Sequence, residues 1–255
     1  MKAISVIMPA YNAQRTIETA INSVLCQTYN NLELIVVDDA STDNTSEIVK
    51  KLCQKDNRIK LVSLPENKGV ANARNVGVKE AKNELIAFLD SDDCWKDEKL
   101  ECQIKTLEQH PECDICFTAT AYVSSQWMRS DYILRVPEKV TYNDILKQNI
   151  ISCSSVLVTK KAMLENPMPT NKDIHEDFAT WLSILKKSPY AVGVNKPLLL
   201  YRVSANGKSG DKLKSARMQI RTYKVSRVPF FKAFTSFFAY AYRNIRKYNS
   251  LKIGR

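Results

Sequence analysis

Leu32-Glu33-Leu34-Ile35-Val36-Val37-Asp38-Asp39-Ala40-Ser41-Thr42-Asp43 is an apolar run of strand length that breaks into paired carboxylates and a turn. Residues 34–37 are apolar at consecutive positions, so both faces of this strand must be covered. Residues 42–52 follow with helical spacing, with Ser41 or Thr42 as the cap. The same alternation extends in both directions. Upstream, residues 3–8 read as a strand, and residues 13–26 as a helix with Ile17, Ala20, Ile21, Val24 and Leu25 on one face. Downstream come a strand over 59–64, a small-residue helix over 70–81, a strand over 85–89 and a polar helix over 97–109. This alternation predicts an α/β fold with a mainly parallel central sheet flanked by helices. Ligands of such sheets bind at the carboxyl ends of the strands.

The second half is less regular. Strands are predicted over 115–123, 156–158, 191–194 and 198–201, with a helix over 176–187. After residue 211 the pattern becomes two helices broken at Pro229. The organisation read from this is a body over 1–211, in halves 1–110 and 111–211, and a helical tail over 212–255.

The chain has 255 residues, 44% hydrophobic and 25% charged, which suits a globular protein and excludes disorder as the main state. Six glycines without a repeat exclude a collagen-like chain. No uncharged apolar run reaches the roughly 18 residues of a spanning helix, and residues 3–10 lack the pattern of a cleaved leader. A cytoplasmic protein is expected. Seven cysteines, an odd number, do not form a disulfide framework. The lone Cys113-Asp-Ile-Cys116 pair leads into a strand and reads as buried thiols.

Chemistry gathers where the strands end. Pro9-Ala10-Tyr11-Asn12 follows the first strand, Asp38-Asp39 the second and Asp90-Ser91-Asp92-Asp93 the fourth. Carboxylates crowded in one cleft repel unless they share a cation, and without His or Cys they suit a hard ion, Mn²⁺ or Mg²⁺. Such an ion commonly partners a diphosphate. Tyr11 offers a flat ring for a nucleobase, Asp39 an acceptor for its imino N–H, and Arg74 a cation for phosphate or ribose. The dinucleotide fingerprint is absent because no Gly-X-Gly occurs, and Gly207-Lys208-Ser209 lacks the first glycine of a phosphate loop, Arg202 standing there.

These stretches resemble family 2 inverting glycosyltransferases of the GT-A fold. The matching segments are Ser5–Asn12, 36–43, Asn67-Lys68-Gly69-Val70-Ala71-Asn72-Ala73-Arg74-Asn75, 88–93, Glu176-Asp177-Phe178-Ala179-Thr180-Trp181-Leu182 and Tyr201-Arg202-Val203-Ser204. The nearest likeness is to bacterial enzymes of teichuronic acid and O-antigen assembly. The resemblance implies a nucleotide-sugar-binding first half and an acceptor-binding second half. It implies donor contacts from Pro9, Tyr11, Asp39, Arg74, Asp90, Ser91 and Asp92, with Asp90 and Asp92 holding the metal. Asp177 would be the catalytic base, with Glu176 and Arg202 touching acceptor or phosphate. A UDP-sugar donor, UDP-glucose or UDP-galactose, and a lipid-linked saccharide acceptor are implied, with one sugar moved per event. A carboxylate at the start of the 176–187 helix is favoured by the helix dipole. Two other readings stay open: a sugar-nucleotide nucleotidyltransferase, which would want a glycine-rich first loop, and a nucleic-acid-binding module, suggested only by the basic tail.

Of the 38 Lys and Arg, 12 lie in residues 212–255, which hold no Asp or Glu. The other 26 face all 27 acids, so the body is near neutral and the tail carries the excess of +11. On a helical projection Leu213, Ala216, Ile220 and Tyr223 share one sector of the first tail helix. On the second, Phe230, Phe231, Phe234, Phe237, Phe238, Ala241 and Tyr242 form one broad face opposite Lys232, Arg243, Arg246 and Lys247. This pattern predicts a helix in the interface of an anionic membrane, on its inner face. Packing on the body, or on a second copy in a homodimer, is the alternative use of the Phe face, and nucleic acid is not expected as a partner.

Overall fold

The computed structural model describes residues 2–203 and 212–250, without the side chains of residues 212–214 and 242–250. The loop containing Gly207-Lys208-Ser209 lies outside the described residues.

The first half alternates as its sequence dictates: β1 (Ile4–Ala10), α1 (Ile17–Leu25), β2 (Leu32–Asp38), α2 (Thr45–Lys55), β3 (Ile59–Ser63), α3 (Val70–Glu80) and β4 (Leu85–Phe88). Strands β3, β2, β1 and β4 lie side by side and parallel, with Ala10 beside Asp38 at the carboxyl edge. Successive residues of β1 serve opposite faces. Ile4, Val6 and Met8 join a core with α1, α2 and α4 (Lys99–Gln109), whereas Ile7 joins a second core with α3. On that second face α3 comes very close: a Cβ on Gly77 would lie 2.4 Å from Ile7 Cγ2.

The second half adds β5 (Cys94–Trp95), β6 (Ile115–Val123), β7 (Arg129–Leu134), β8 (Lys139–Val140), α5 (Tyr142–Lys147), β9 (Leu157–Thr159), α6 (Lys160–Glu165), α7 (Glu176–Leu185) and β10 (Ala191–Arg202). The sheet continues from β4 through β9, β6 and β10 to β5, with β7 beside β6 and β8 beside β10. The long β6–β10 pairing is parallel, while β9 runs antiparallel to both its neighbours. The two short strands expected over 191–201 are one strand, whose register slips on either side of Pro197. Proline donates nothing to a ladder, so the pairing shifts where it stands.

The expected helix over 13–26 begins only at Ile17. The Ala13 and Gln14 N–H groups donate instead to Thr45 Oγ1 at 2.7 Å and Asp43 Oδ2 at 3.2 Å. Neither Ser41 nor Thr42 caps α2, which begins at Thr45, whose N–H is taken by Asp43 Oδ1.

The tail divides into α8 (Lys212–Val225) and α9 (Phe230–Ser250). α8 shares the body's core: Met218 and Tyr223 are buried, and the Tyr223 hydroxyl donates to Leu146 O at 2.6 Å. The buried stripe runs through Met218, Gln219, Thr222, Tyr223 and Ser226, and Ile220, expected beside Tyr223, is 53% exposed. Among the described residues no helix is long and apolar enough to cross a membrane.

Candidate active site

The loops at the carboxyl ends of β1 and β2 are stitched together by side chains of both. Asn12 N donates to Ser41 Oγ at 3.0 Å and Asn12 Oδ1 accepts from Thr42 N at 2.8 Å. Asn12 and Ala40 both take positive φ, 50° and 60°, which L-residues adopt at some cost and which gathers at functional loops. Ala40 follows Asp39 directly. The Asp39 carboxylate receives the Lys68 N–H at 3.0 Å and the Gly69 N–H at 2.7 Å. Gly69 has φ +91°, open to glycine alone at little cost, and that twist precedes α3. Two backbone donors fix Asp39 and leave its other lone pairs for a ligand.

The cleft beneath these loops has a volume of about 770 Å³. It is lined by Pro9, Tyr11, Asp39, Arg74, Asp90, Ser91 and Asp92, together with Glu176 and Arg202. Tyr11 is half exposed at its mouth. The structure therefore gathers every expected contact except Asp177 around one space. A shallower depression of about 650 Å³, lined by Gln14, Arg15, Asn44, Glu47, Ile48 and Lys51, contains none of the strand-end acids.

The acids divide by what they touch. Asp38 is buried and accepts the Ser41 N–H. Asp93 turns into the protein, where Oδ1 accepts the Arg202 N–H at 2.9 Å, and burial raises its carboxyl well above the usual range. Asp90 is held by the Ser154 hydroxyl on its N–H and by the Arg74 guanidinium at 2.6 Å. Asp92 opens to the cleft and, among the described residues, has no ion-pair partner. The protein around it and the nearby Asp90 charge push its carboxyl up to about 6. Such an excess of carboxylate oxygen suits a hard divalent ion, so Asp92 and Asp90 fit the expected metal. No group of three His, Cys, Asp or Glu converges among the described residues. A bound ion would thus take the rest of its ligands from a diphosphate or water.

Arg74 is the centre of the cleft floor. It is 3% exposed, and its two terminal nitrogens hold Asp90 at 2.6 Å and Glu176 at 3.1 Å. Both ends of the guanidinium fork are thereby committed to protein carboxylates. The next residue, Asn75, exchanges two hydrogen bonds with the Met168 backbone, at 2.8 and 2.9 Å. That pair brings Thr170, Asn171 and Lys172 to the cleft lining. Sequence reasoning missed Lys172, whose loop carries no recognisable pattern, and Ser154, whose place beside Asp90 depends on the 153–155 turn.

Glu176 and Asp177 open α7, both half-buried. Asp177 Oδ1 accepts the Phe178 N–H at 2.7 Å, and burial together with the Glu176 charge raises its carboxyl. His175 turns to the tail: its N–H donates to Thr222 Oγ1 at 3.0 Å. Trp181 is buried in the core.

A doubly wound sheet with acids from β2, β4 and α7 around one cleft is the architecture of a GT-A enzyme. Solved structures share it: Staphylococcus aureus TarS 1-349 in complex with UDP-GlcNAc matches with TM-score 0.74 at 23% identity, over 89% of this chain and 66% of that one. The mannosyltransferase PcManGT of Pyrobaculum calidifontis, in complex with GDP-Man and Mn²⁺, matches with TM-score 0.72 at 21% identity, over 93% of this chain and 68% of that one. The chain belongs to glycosyl transferase family 2, whose model matches residues 5–166. It is 39% identical over 245 residues to TuaG of Bacillus subtilis (strain 168), a glycosyltransferase named for teichuronic acid biosynthesis, covering 96% of each chain. It is also 39% identical to the Escherichia coli UDP-Glc:alpha-D-GlcNAc-diphosphoundecaprenol beta-1,3-glucosyltransferase WfgD, covering 85% of this chain and 83% of that one.

Proposed function

We propose that this glycosyltransferase moves one sugar from a UDP-sugar to a hydroxyl of a lipid-linked saccharide, with inversion, in the synthesis of a bacterial surface polysaccharide. The observation that carries this reading is the meeting of Asp39, Asp90, Asp92 and Glu176 around one cleft, with Asp177 next to Glu176 at the start of α7. The Escherichia coli relative supports the donor and acceptor class, since its name joins UDP-Glc to a diphosphoundecaprenol-linked sugar. UDP-glucose is the first donor to test and UDP-galactose the second.

In this reading the base lies against the Tyr11 ring and uses the free lone pairs of Asp39. The acceptor oxygen attacks the anomeric carbon from the face opposite the UDP, the bond to UDP breaks, and Asp177 takes the hydroxyl proton. An α-linked donor then gives a β-linked product. Glu176 already accepts from Arg74, and a paired carboxylate is a poorer proton acceptor, so Asp177 is assigned the role although Glu176 is the one of the two that lines the cleft. Mn²⁺ or Mg²⁺ held by Asp92 and Asp90 would neutralise charge on the departing diphosphate. Arg202, which lines the same cleft, would contact acceptor or phosphate. The enzyme would work at the inner face of the cell membrane, where a lipid-linked acceptor is reached and the basic tail finds anionic lipid.

A donor screen tests the reading. Release of UDP from a UDP-sugar, with a β-linked product by NMR, is expected. Pyrophosphate exchange instead would replace it with nucleotidyl transfer. Asp177→Asn should lower kcat at least about 100-fold with UDP binding retained, in the range of lost general-base catalysis. Turnover unaffected in Asp177→Asn but abolished in Glu176→Gln would move the base to Glu176.

A further inference from the structure

The Phe face of α9 is not one face. Ala233 and Phe237 pack against the body's core with Val228, and Tyr240 meets the Ser215 hydroxyl at 3.1 Å. Lys232 lies 5.6 Å from the Tyr142 ring of α5, the helix on which α9 rests. The other side is bare. Phe230 is 75% exposed, Phe231 83%, Phe234 56% and Phe238 60%. These four rings touch in series, with centroids 5.7 Å apart for Phe230 and Phe231, 6.3 Å for Phe230 and Phe234, and 4.9 Å for Phe234 and Phe238. Phe230, Phe234 and Phe238 recur every fourth residue, so the ridge runs roughly 12 Å along the helix. Isolated exposed phenylalanines are ordinary, whereas a continuous ridge of four marks an interaction surface.

We propose that Phe230, Phe231, Phe234 and Phe238 form the surface by which the protein inserts into an anionic bilayer. Charge selects this occupant. The ridge belongs to a segment with 12 Lys and Arg and no acid. A second copy would set one cationic tail against another, and a nucleic acid would match the cations but leave four rings in water. An anionic leaflet matches both, with the rings in the acyl boundary and the cations among the headgroups. The inference rests on the lipid-linked acceptor proposed above for its purpose, though not for its geometry. α9 rests on α5, and α5 packs against α7, which begins with Glu176-Asp177. Docking through α9 therefore holds the acceptor half of the enzyme at the lipid surface.

The experiment compares the full chain with a variant carrying Phe230→Ser, Phe231→Ser, Phe234→Ser and Phe238→Ser, and with Phe231→Asp alone. Flotation is measured with vesicles of phosphatidylcholine, with and without phosphatidylglycerol, at low and high salt. UDP binding with Mn²⁺ and thermal unfolding are measured in parallel. The parent chain should float with phosphatidylglycerol vesicles, less so at high salt and on phosphatidylcholine alone. The fourfold variant should lose at least about tenfold in vesicle partitioning and Phe231→Asp a smaller part, with unfolding and UDP binding unchanged. A parent chain that ignores anionic vesicles, or variants that float as well as it does, overturns the proposal. So does a dimer that the substitutions split in gel filtration while flotation stays the same. If the parent floats as expected but binds no UDP, the sugar-transfer reading fails and the membrane surface stands.

Discussion

At the scale of single residues, Arg74 and Asp92 do opposite things with charge. Arg74 neutralises two carboxylates from elements far apart in sequence, Asp90 after β4 and Glu176 at the start of α7. Arg74→Met leaves both unpaired. Breaking a buried ion pair costs about 3–5 kcal/mol. The lower end is expected here, about 3 kcal/mol by urea unfolding, because Asp90 keeps 31% of its side-chain surface exposed. Arg74→Lys should rescue little, since an ammonium cannot span both carboxylates as the fork does. Among the described residues Asp92 has no such partner, and in the proposed function it holds a divalent ion. Asp92→Asn should weaken UDP binding in Mn²⁺ at least about tenfold by calorimetry, with little change in stability. Lys99 is a third case. It is fully buried, donates to Gln103 Oε1 at 2.7 Å and lies 3.9 Å from the Trp95 ring centre, and burial lowers its ammonium to about 7. Below pH 7 both folded and unfolded chains hold that proton, so the penalty of burying the charge is fully present. Between about 7 and 10.5 the unfolded chain binds more protons, and this residue makes stability rise with pH, by at most about 1.4 kcal/mol per unit. Lys99→Met should remove that part of the slope, which urea melts of both proteins at pH 6.5 and 9 will measure.

At the scale of elements, α8 joins the catalytic half to the tail. His175 N–H meets Thr222 one residue before Glu176, Lys186 Nζ donates to Ser226 O at 2.6 Å, and Phe178 meets the Tyr223 ring edge-on. The sequence separates a body ending at 211 from a helical tail, but α8 completes the core beside α7. A chain ending at Asp211 should therefore lose the burial of Met218 and Tyr223, at about 1.5–3 kcal/mol each. That corresponds to a fall in Tm of roughly 10 °C by calorimetry. Unchanged Tm in the shortened chain would show that α8 contributes nothing to the body. The stripe that buries α8 escapes a hydrophobic projection because Met218, Gln219, Thr222, Tyr223 and Ser226 mix polar with apolar groups. Such a projection counts only the apolar ones, while Thr222 and Tyr223 are buried with their hydroxyls hydrogen-bonded. By contrast, the Thr141–Asp144 capping box that starts α5 is a local signal, present in the sequence though not recognised from it.

At the scale of the whole molecule, the parallel βα half is written in the local pattern of the chain. Strands apolar on both faces must be sandwiched by helices, and turns rich in Asp must fall at their carboxyl ends. Those two constraints are local and periodic, so β1 to β4 and the acids at their ends were legible. The resemblance carried Asp177 and Glu176 to their helix. Which of these acids share an environment follows from the packing of distant segments. Asp92 and Asp93 are neighbours in the chain, yet one opens to the cleft and the other is locked beneath the Arg202 backbone. Glu176 reaches the cleft and the next residue does not, because successive residues on a helix point about 100° apart and only one meets Arg74. The Phe face of α9 divides for the same reason, Phe237 turning to the body and Phe238 to solvent. Periodicity assigns a residue to a side of its own element. Whether protein or water lies on that side depends on contacts between segments a hundred residues apart, which no local pattern encodes.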